Sequence, residues 1–377
     1  MLMLPRAASA VRTALAACAA LACLAGPANA QRKTRNVVVI VTDGFRWQEM
    51  FRGAERALVS QTPGGVRDTT ATLRAYWRDD AAARRTALLP FMWSTVARQG
   101  VIFGNQDLGS LAAITNTMKF SYPGYNEILT GSFDPRIDSN DYPPNPNVTV
   151  FEWLARKPAY KGKVAAIATW DAFRRIFNRD RAGFDVIDGW DPPFTGREAA
   201  NPRAATINEF YRTTTRMWDN NVFDAHMHAT AREYIRSHTP RLLFLGYGET
   251  DEWAHSGMYD MVLQSAHRVD GFIADLWATM QAMPQYRGST TFIITTDHGR
   301  GDGPTKWRDH GRDVDGAENI WIAVIGPDTP ARGEVTGGPR VTQSQVAATV
   351  AALLGEDYGR VAPAAGAPLA AALRQPQ

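Results

Sequence analysis

The sequence predicts a doubly wound α/β fold, a mostly parallel sheet with helices on both faces. Three observations predict it. Short apolar, β-branched runs recur along the chain, helical patterns lie between them, and an acidic residue follows several of the runs. Near-continuous apolar character marks strands that are covered on both faces.

Residues 1–30 stand apart from the rest. Arg6 and Arg12 give a positive start, residues 14–25 are rich in Ala and Leu, and Ala28-Asn29-Ala30 offers a small-residue cleavage site. The pattern predicts a secretory signal peptide, a mature chain beginning at Gln31, and a periplasmic or secreted protein. Leu15-Ala16-Ala17-Cys18 also resembles a lipoprotein signal, but the apolar stretch before Cys18 is very short, which favours simple cleavage. No later segment approaches the length of a membrane-spanning helix. Both cysteines, Cys18 and Cys23, fall in the leader, which excludes disulfides and thiolate metal sites from the mature chain. Loss of Arg6 and Arg12 lowers the formal charge from +3 to +1, and no run of Lys or Arg points to nucleic acid.

Residues 31–377 read as a single domain. Strands are expected at Asn36–Thr42, 163–168, Leu242–Tyr247, 291–296 and 320–325. Helices are expected at 89–98, 258–280 and 343–354. In the second, Val262, Ala266, Val269, Ile273, Leu276 and Met280 recur at spacings of three and four. Three segments read as insertions: a polar, arginine-rich stretch at 51–87, a Pro/Asp/Asn loop at 132–147, and a weakly periodic region at 177–240 that would form a small cap over the site. Residues 361–377 are rich in Ala and Pro and read as a loosely held tail.

The strand ends carry the chemistry. Asp43 follows the first strand, Asp251 follows LLFLGYGET, and Asp297-His298 follows TFIITT. Ligands of open α/β sheets bind beyond the carboxyl ends of the strands, so three strands deliver carboxylates to one edge. A lone Asp after a strand is usually a helix cap; three of them, two with histidines, are harder to explain that way. Asp251 and His255 lie one helical turn apart, and His310 follows in Asp309-His310-Gly311. Clustered carboxylates repel unless cations are present. Three Asp and three His suffice for two divalent ions, with a hydroxyl as a seventh ligand. Imidazole and carboxylate suit zinc, with manganese as the alternative.

The segment Ser121-Tyr122-Pro123-Gly124-Tyr125 through Thr130-Gly131 resembles the nucleophile segment of the alkaline phosphatase superfamily. It is especially similar to the type I phosphodiesterase/nucleotide pyrophosphatase branch. Thr42-Asp43-Gly44, Ser121, Asp251-x-x-x-His255, Asp297-His298-Gly299 and His310-Gly311 occur in that family's order, across roughly residues 36–326. The resemblance implies an alkaline phosphatase-like fold and a division of labour. Asp43, Ser121, Asp297 and His298 would bind one ion, and Asp251, His255 and His310 the other. Ser121 would attack phosphorus at a helix N-terminus, through a phosphoseryl intermediate. It further implies a small phosphorylated substrate, either a mono- or a diester.

The chain departs from that branch in having Ser121 where the branch has Thr. Only eleven residues separate His298 from His310, a spacing nearer the mutase-like and sulfatase-like branches. Sulfatases make formylglycine in a Cys/Ser-x-Pro-x-Arg motif, and Tyr125 stands in place of that Arg. Asn140 and Trp170 are candidate substrate contacts, and Arg174 a candidate phosphate ligand. Lys119 and Arg300 are nearby charges, and His226-Met227-His228 reads as an ordinary structural segment rather than a third metal site. Two alternatives accompany the hydrolase reading. One is a phosphotransferase or mutase of the same superfamily; the other is a binding protein that keeps metals for stability.

Overall fold

A computed structural model describes residues 32–374. The expected leader at 1–30, with Cys18, and the expected mature start at Gln31 lie outside the described residues. The strands are β1 (Asn36–Thr42), β2 (Val101–Phe103), β3 (Ala112–Ala113), β4 (Val164–Ala168), β5 (Asp185–Asp188), β6 (Leu242–Tyr247), β7 (Thr290–Thr295), β8 (Ile322–Ile325), β9 (Gly333–Glu334) and β10 (Val341–Thr342). Eight of them form one sheet in the order β5-β4-β6-β1-β7-β8-β2-β9, and β3 pairs with β10 in a two-stranded ribbon. The central strands β5, β4, β6, β1 and β7 are parallel; β8 runs antiparallel to both β7 and β2.

Five helices matter most here: α1 (Ser121–Thr130), α2 (Asp224–His238), α3 (Glu249–His255), α4 (Tyr259–Ala282) and α5 (Val346–Leu353). The two-residue period of β1 sorts its side chains between two layers. Val38 and Ile40 pack into the cluster holding Val262, Ala266, Val269, Ile273, Leu276 and Met280 of α4. Val37, Val39 and Val41 face Tyr122, Tyr125, Ile128 and Leu129 of α1 together with Val346 and Val350 of α5. Burying an aliphatic side chain of this kind contributes about 1.5–3 kcal/mol. The strand-end loops therefore stand on a scaffold anchored from both faces.

Three expectations change. The run at 320–325 yields a strand only over Ile322–Ile325, and its direction is reversed; apolar patterning carries no information on strand direction. Residues 177–240 do not form a separate cap. They supply the edge strand β5 and the sheet-covering helix α2, whose Met227, Ala231 and Ile235 join the core, and only the Asn220–Asn221 turn reaches the site. The described part of the tail, up to Arg374, is held: Leu369 and Ala372 are buried, and the Arg374 amide donates to the Asp328 carbonyl at 2.7 Å. No helix among the described residues is long and apolar enough to cross a membrane.

Candidate metal centre

β1 delivers Asp43 directly, and the turn behind it must be tight. Gly44 has φ 56°, and a Cβ there would sit 2.5 Å from Asp251 Oδ1, so both backbone and space require glycine. The Asp43 carboxylate is fixed from the other side of the sheet edge, where Tyr125 Oη donates to Asp43 Oδ2 at 2.9 Å. Asp297 and His298 follow β7 and are fully buried. Gly44 N–H donates to Asp297 Oδ1 at 3.0 Å.

His298 Nδ1 lies 2.9 Å from the Gly299 carbonyl, which can only accept, so the proton belongs on Nδ1 and Nε2 faces the centre. That Nε2 lies 3.3 Å from Ser121 Oγ and 3.4 Å from both Asp43 Oδ1 and Asp297 Oδ2. Ser121 opens α1, whose first turn presses on the Asp297 backbone; a Cβ on Gly124 would meet the Asp297 carbonyl oxygen at 2.4 Å.

The second group stands on α3 and the loop at His310. His255 Nε2 is 3.1 Å from Asp251 Oδ2 and 2.9 Å from His310 Nε2. His310 Nδ1 donates to the Lys119 carbonyl at 3.2 Å, which again turns Nε2 inward. Arg300 is buried beneath, bonded to the Asp251 carboxylate and to the Gly44 carbonyl at 3.2 Å. The two groups adjoin: His298 Nε2 is 3.9 Å from Asp251 Oδ1.

These donors fit divalent cations. Asp251, His255 and His310 bring one ligand atom each within 4.8 Å of one another, and Asp43, Asp297 and His298 do the same. Asp43 Oδ1 and Asp297 Oδ2 are buried with no hydrogen-bond partner, an expensive state for a carboxylate oxygen without a cation. The protonation equilibria agree. Burial and then the Asp43 charge push Asp297 up to about 8. Burial works to lower His298, but the pull of Asp297 and Asp43 outweighs it and raises His298 to about 9. Burial and the neighbouring His298 hold His310 well below the usual histidine range, which keeps it in the neutral, ligating form.

Around Ser121 lies a cavity of about 320 Å³ whose walls include Asp43, Asn140, Trp170, Asn221, Glu252 and His310. Asn140 and Trp170 therefore do reach the site. Asn140 Oδ1 accepts from the Tyr122 amide at 3.0 Å. Arg174 does not reach it, pairing instead with Asp188 at 2.9 Å and Asp191 at 3.1 Å. Lys119 pairs with Glu318 at 3.0 Å. His226 and His228 are structural: His226 Nε2 meets Thr214 Oγ1 at 2.8 Å, and His228 is bonded to Asp275 and Tyr247. Sequence reasoning missed Tyr125, Asn221 and Glu252. Tyr125 had a signal, the unexplained residue where a sulfatase carries Arg; Asn221 had none.

A model of the type I phosphodiesterase / nucleotide pyrophosphatase family matches residues 67–319. The chain belongs to that family. The matched span holds Ser121, Asp251, His255, Asp297, His298 and His310 and leaves Asp43 outside. Among curated proteins, a 2,3-bisphosphoglycerate-independent phosphoglycerate mutase of Gracilaria tenuistipitata var. liui is 23% identical over 299 residues, 73% of this chain and 54% of the mutase. The chain thus spans about half the length of that relative. Among solved structures, the alkaline phosphatase PafA aligns with TM-score 0.58 and 11% identity over 91% of this chain and 99% of its own. The phosphonate monoester hydrolase SpPMH of Silicibacter pomeroyi aligns with TM-score 0.55 and 14% identity over 91% and 78%. This type I phosphodiesterase family member has the alkaline phosphatase-like fold.

Proposed function

We propose that the chain is a two-metal phosphoric-ester hydrolase that acts on phosphodiesters through Ser121. Asp43, Ser121, Asp297 and His298 would hold one cation, and Asp251, His255 and His310 the other. When bound, the cations supply positive charge for the phosphoryl oxygens and lower the pKa of a coordinated hydroxyl. Ser121 Oγ attacks phosphorus, and the Oγ–P bond forms as the bond to the leaving alcohol breaks; the alcohol departs with a proton. Water then attacks phosphorus, the Oγ–P bond breaks, and the serine hydroxyl is restored. The Tyr122 amide is already spent on Asn140, and Pro123 has no N–H. The Asn140 amide group is thus the better placed donor for a phosphoryl oxygen.

The cavity's lack of cationic side chains carries the diester reading. Among the described residues, no Lys or Arg lines it. A monoester dianion finds no cationic side chain to grip its extra oxygens, whereas a singly charged diester needs none. The zinc-loaded chain is expected to favour bis-p-nitrophenyl phosphate over p-nitrophenyl phosphate by at least about tenfold in kcat/KM, a difference of about 1.4 kcal/mol. A monoester preference overturns the diester assignment, and undiminished turnover in Ser121→Ala overturns the mechanism.

The mutase relative supports a second reading, transfer of the phosphoryl group from Ser121 to an alcohol. Product analysis in the presence of glycerol separates the two, since a hydrolase yields mainly the water product. Export completes the proposal, and intact mass of the secreted chain beginning at Gln31 tests it.

A further inference from the structure

Resting on the two-cation part of the hydrolase reading, we infer that Glu127 is a positioning residue. Through Asn116 and the Lys119 peptide it sets the His310 ring against the helix that Ser121 opens. Glu127 lies on that helix, α1, and is fully buried. Its carboxylate reaches back to the loop before the helix. Oε1 accepts from Thr115 N–H at 2.8 Å and from Thr115 Oγ1 at 2.9 Å. Oε2 accepts from Asn116 N–H and from Asn116 Nδ2, each at 2.9 Å. These donors are all neutral. Hydrogen bonds to a buried carboxylate are stronger than those between neutral groups, so the loop is tied firmly to the helix.

The bonds continue toward the site. A carboxylate only accepts, so the Asn116 amide must turn Nδ2 to Glu127, which commits Oδ1 to the Lys119 N–H at 2.9 Å. Asn116 is 3% exposed, which leaves little room for water to take over either bond. Lys119 has φ 56°, the left-handed region that a Cβ disfavours, and the bond to Asn116 holds it there. In that conformation its carbonyl accepts from His310 Nδ1 at 3.2 Å, and His310 Nε2 lies 3.7 Å from Asp251 Oδ1. The Lys119 charge is spent on Glu318; its backbone is what reaches the site.

The other group of ligands stands outside this relay. Asp43 is held by Tyr125, Asp297 by the Gly44 amide, and His298 by the Gly299 carbonyl. Ser121 stays with α1, whose Tyr122, Tyr125, Ile128 and Leu129 are packed in the core. Loosening the Lys119 turn therefore weakens the cation at Asp251, His255 and His310 and spares the one beside Ser121.

Competition of the purified full-length chain with a chelator for zinc gives the two dissociation constants separately, and His310→Ala marks which constant belongs to the second group. Asn116→Ala cuts the relay but leaves Thr115 and the backbone of residue 116 on Glu127. It should weaken the marked ion by about tenfold or more and leave the other within about threefold. Glu127→Gln, which offers one acceptor oxygen in place of two, should weaken the same ion. Adding Lys119→Gly to Asn116→Ala lets the turn keep its positive φ without a Cβ, and should bring the marked constant back to within about threefold of wild type. A purely structural Glu127 would lower the melting temperature and weaken both ions alike or neither. That result, or no rescue by Lys119→Gly, overturns the inference. A wild type that binds fewer than two ions overturns the two-cation reading and the relay with it. The readout is zinc affinity, so a failure to cleave esters counts against the hydrolase reading and not against the relay.

Discussion

His228 and His298 are both buried histidines beside carboxylates, and they have opposite roles. His228 sits on α2 with both ring nitrogens engaged, Nδ1 with Tyr247 Oη at 3.3 Å and Nε2 with Asp275 at 3.0 Å, and its ring stacks on Phe272 at 4.1 Å. Burial drives it down to about 4, against the pull of Asp275. His298 spends one nitrogen on a backbone carbonyl and aims the other at Ser121 and two carboxylates, each with an oxygen that nothing in the protein satisfies. A carboxylate neighbour alone does not mark a metal ligand. The mark is the convergence of nitrogens and oxygens whose other sides are tied down and whose facing lone pairs have no donor.

The sharpest way to break the comparison is at the proposed nucleophile. Ser121→Ala should lower bis-p-nitrophenyl phosphate turnover by about 10³-fold or more, measured as initial rates with zinc in excess. His310→Ala, which removes a proposed ligand from the second group, should cost about 10²-fold or more at limiting zinc; His226→Ala, in the α2 segment, should leave kcat near wild type. Tyr125→Phe deletes only the bond to Asp43 Oδ2 and should cost about 10- to 100-fold in zinc affinity or activity, read by titrating zinc into chelated enzyme.

The smallest effect concerns His228 and stability. Its folded pKa is depressed, so its contribution is complete above about 6.5 and is lost as pH falls toward about 4. The loss is on the order of 1–3 kcal/mol, and His228→Leu should make the acid limb of urea stability measurements correspondingly shallower. An unchanged acid limb would remove His228 from the comparison.

Much of the fold is legible in the sequence. β1 and β6 are bounded in the structure as their apolar runs are in the sequence, and all six periodic residues of α4 face the core. Asp43, Asp297 and His298 lie together, as do Asp251, His255 and His310, the grouping in which the family resemblance would place two ions. The remainder depended on tertiary contacts. β5 is bounded by acidic residues and β2 is three residues long, too little pattern to read as strands. Asn221 joins the site only because its turn pairs with Trp170, at 51 positions' remove in sequence. Arg174 is a candidate phosphate contact in the sequence, with a solvated arginine as the favoured reading, and the structure pairs it with Asp188 and Asp191 instead.

The central claim is that the two groups each hold a divalent cation around Ser121. Elemental analysis of the purified chain, equilibrated with zinc and freed of excess, tests it most directly. The account predicts two ions per chain in the wild type, and one in Asp297→Asn and in a combined His255→Ala, His310→Ala variant. A wild-type content below one ion per chain, or a content of two that neither variant changes, would contradict it.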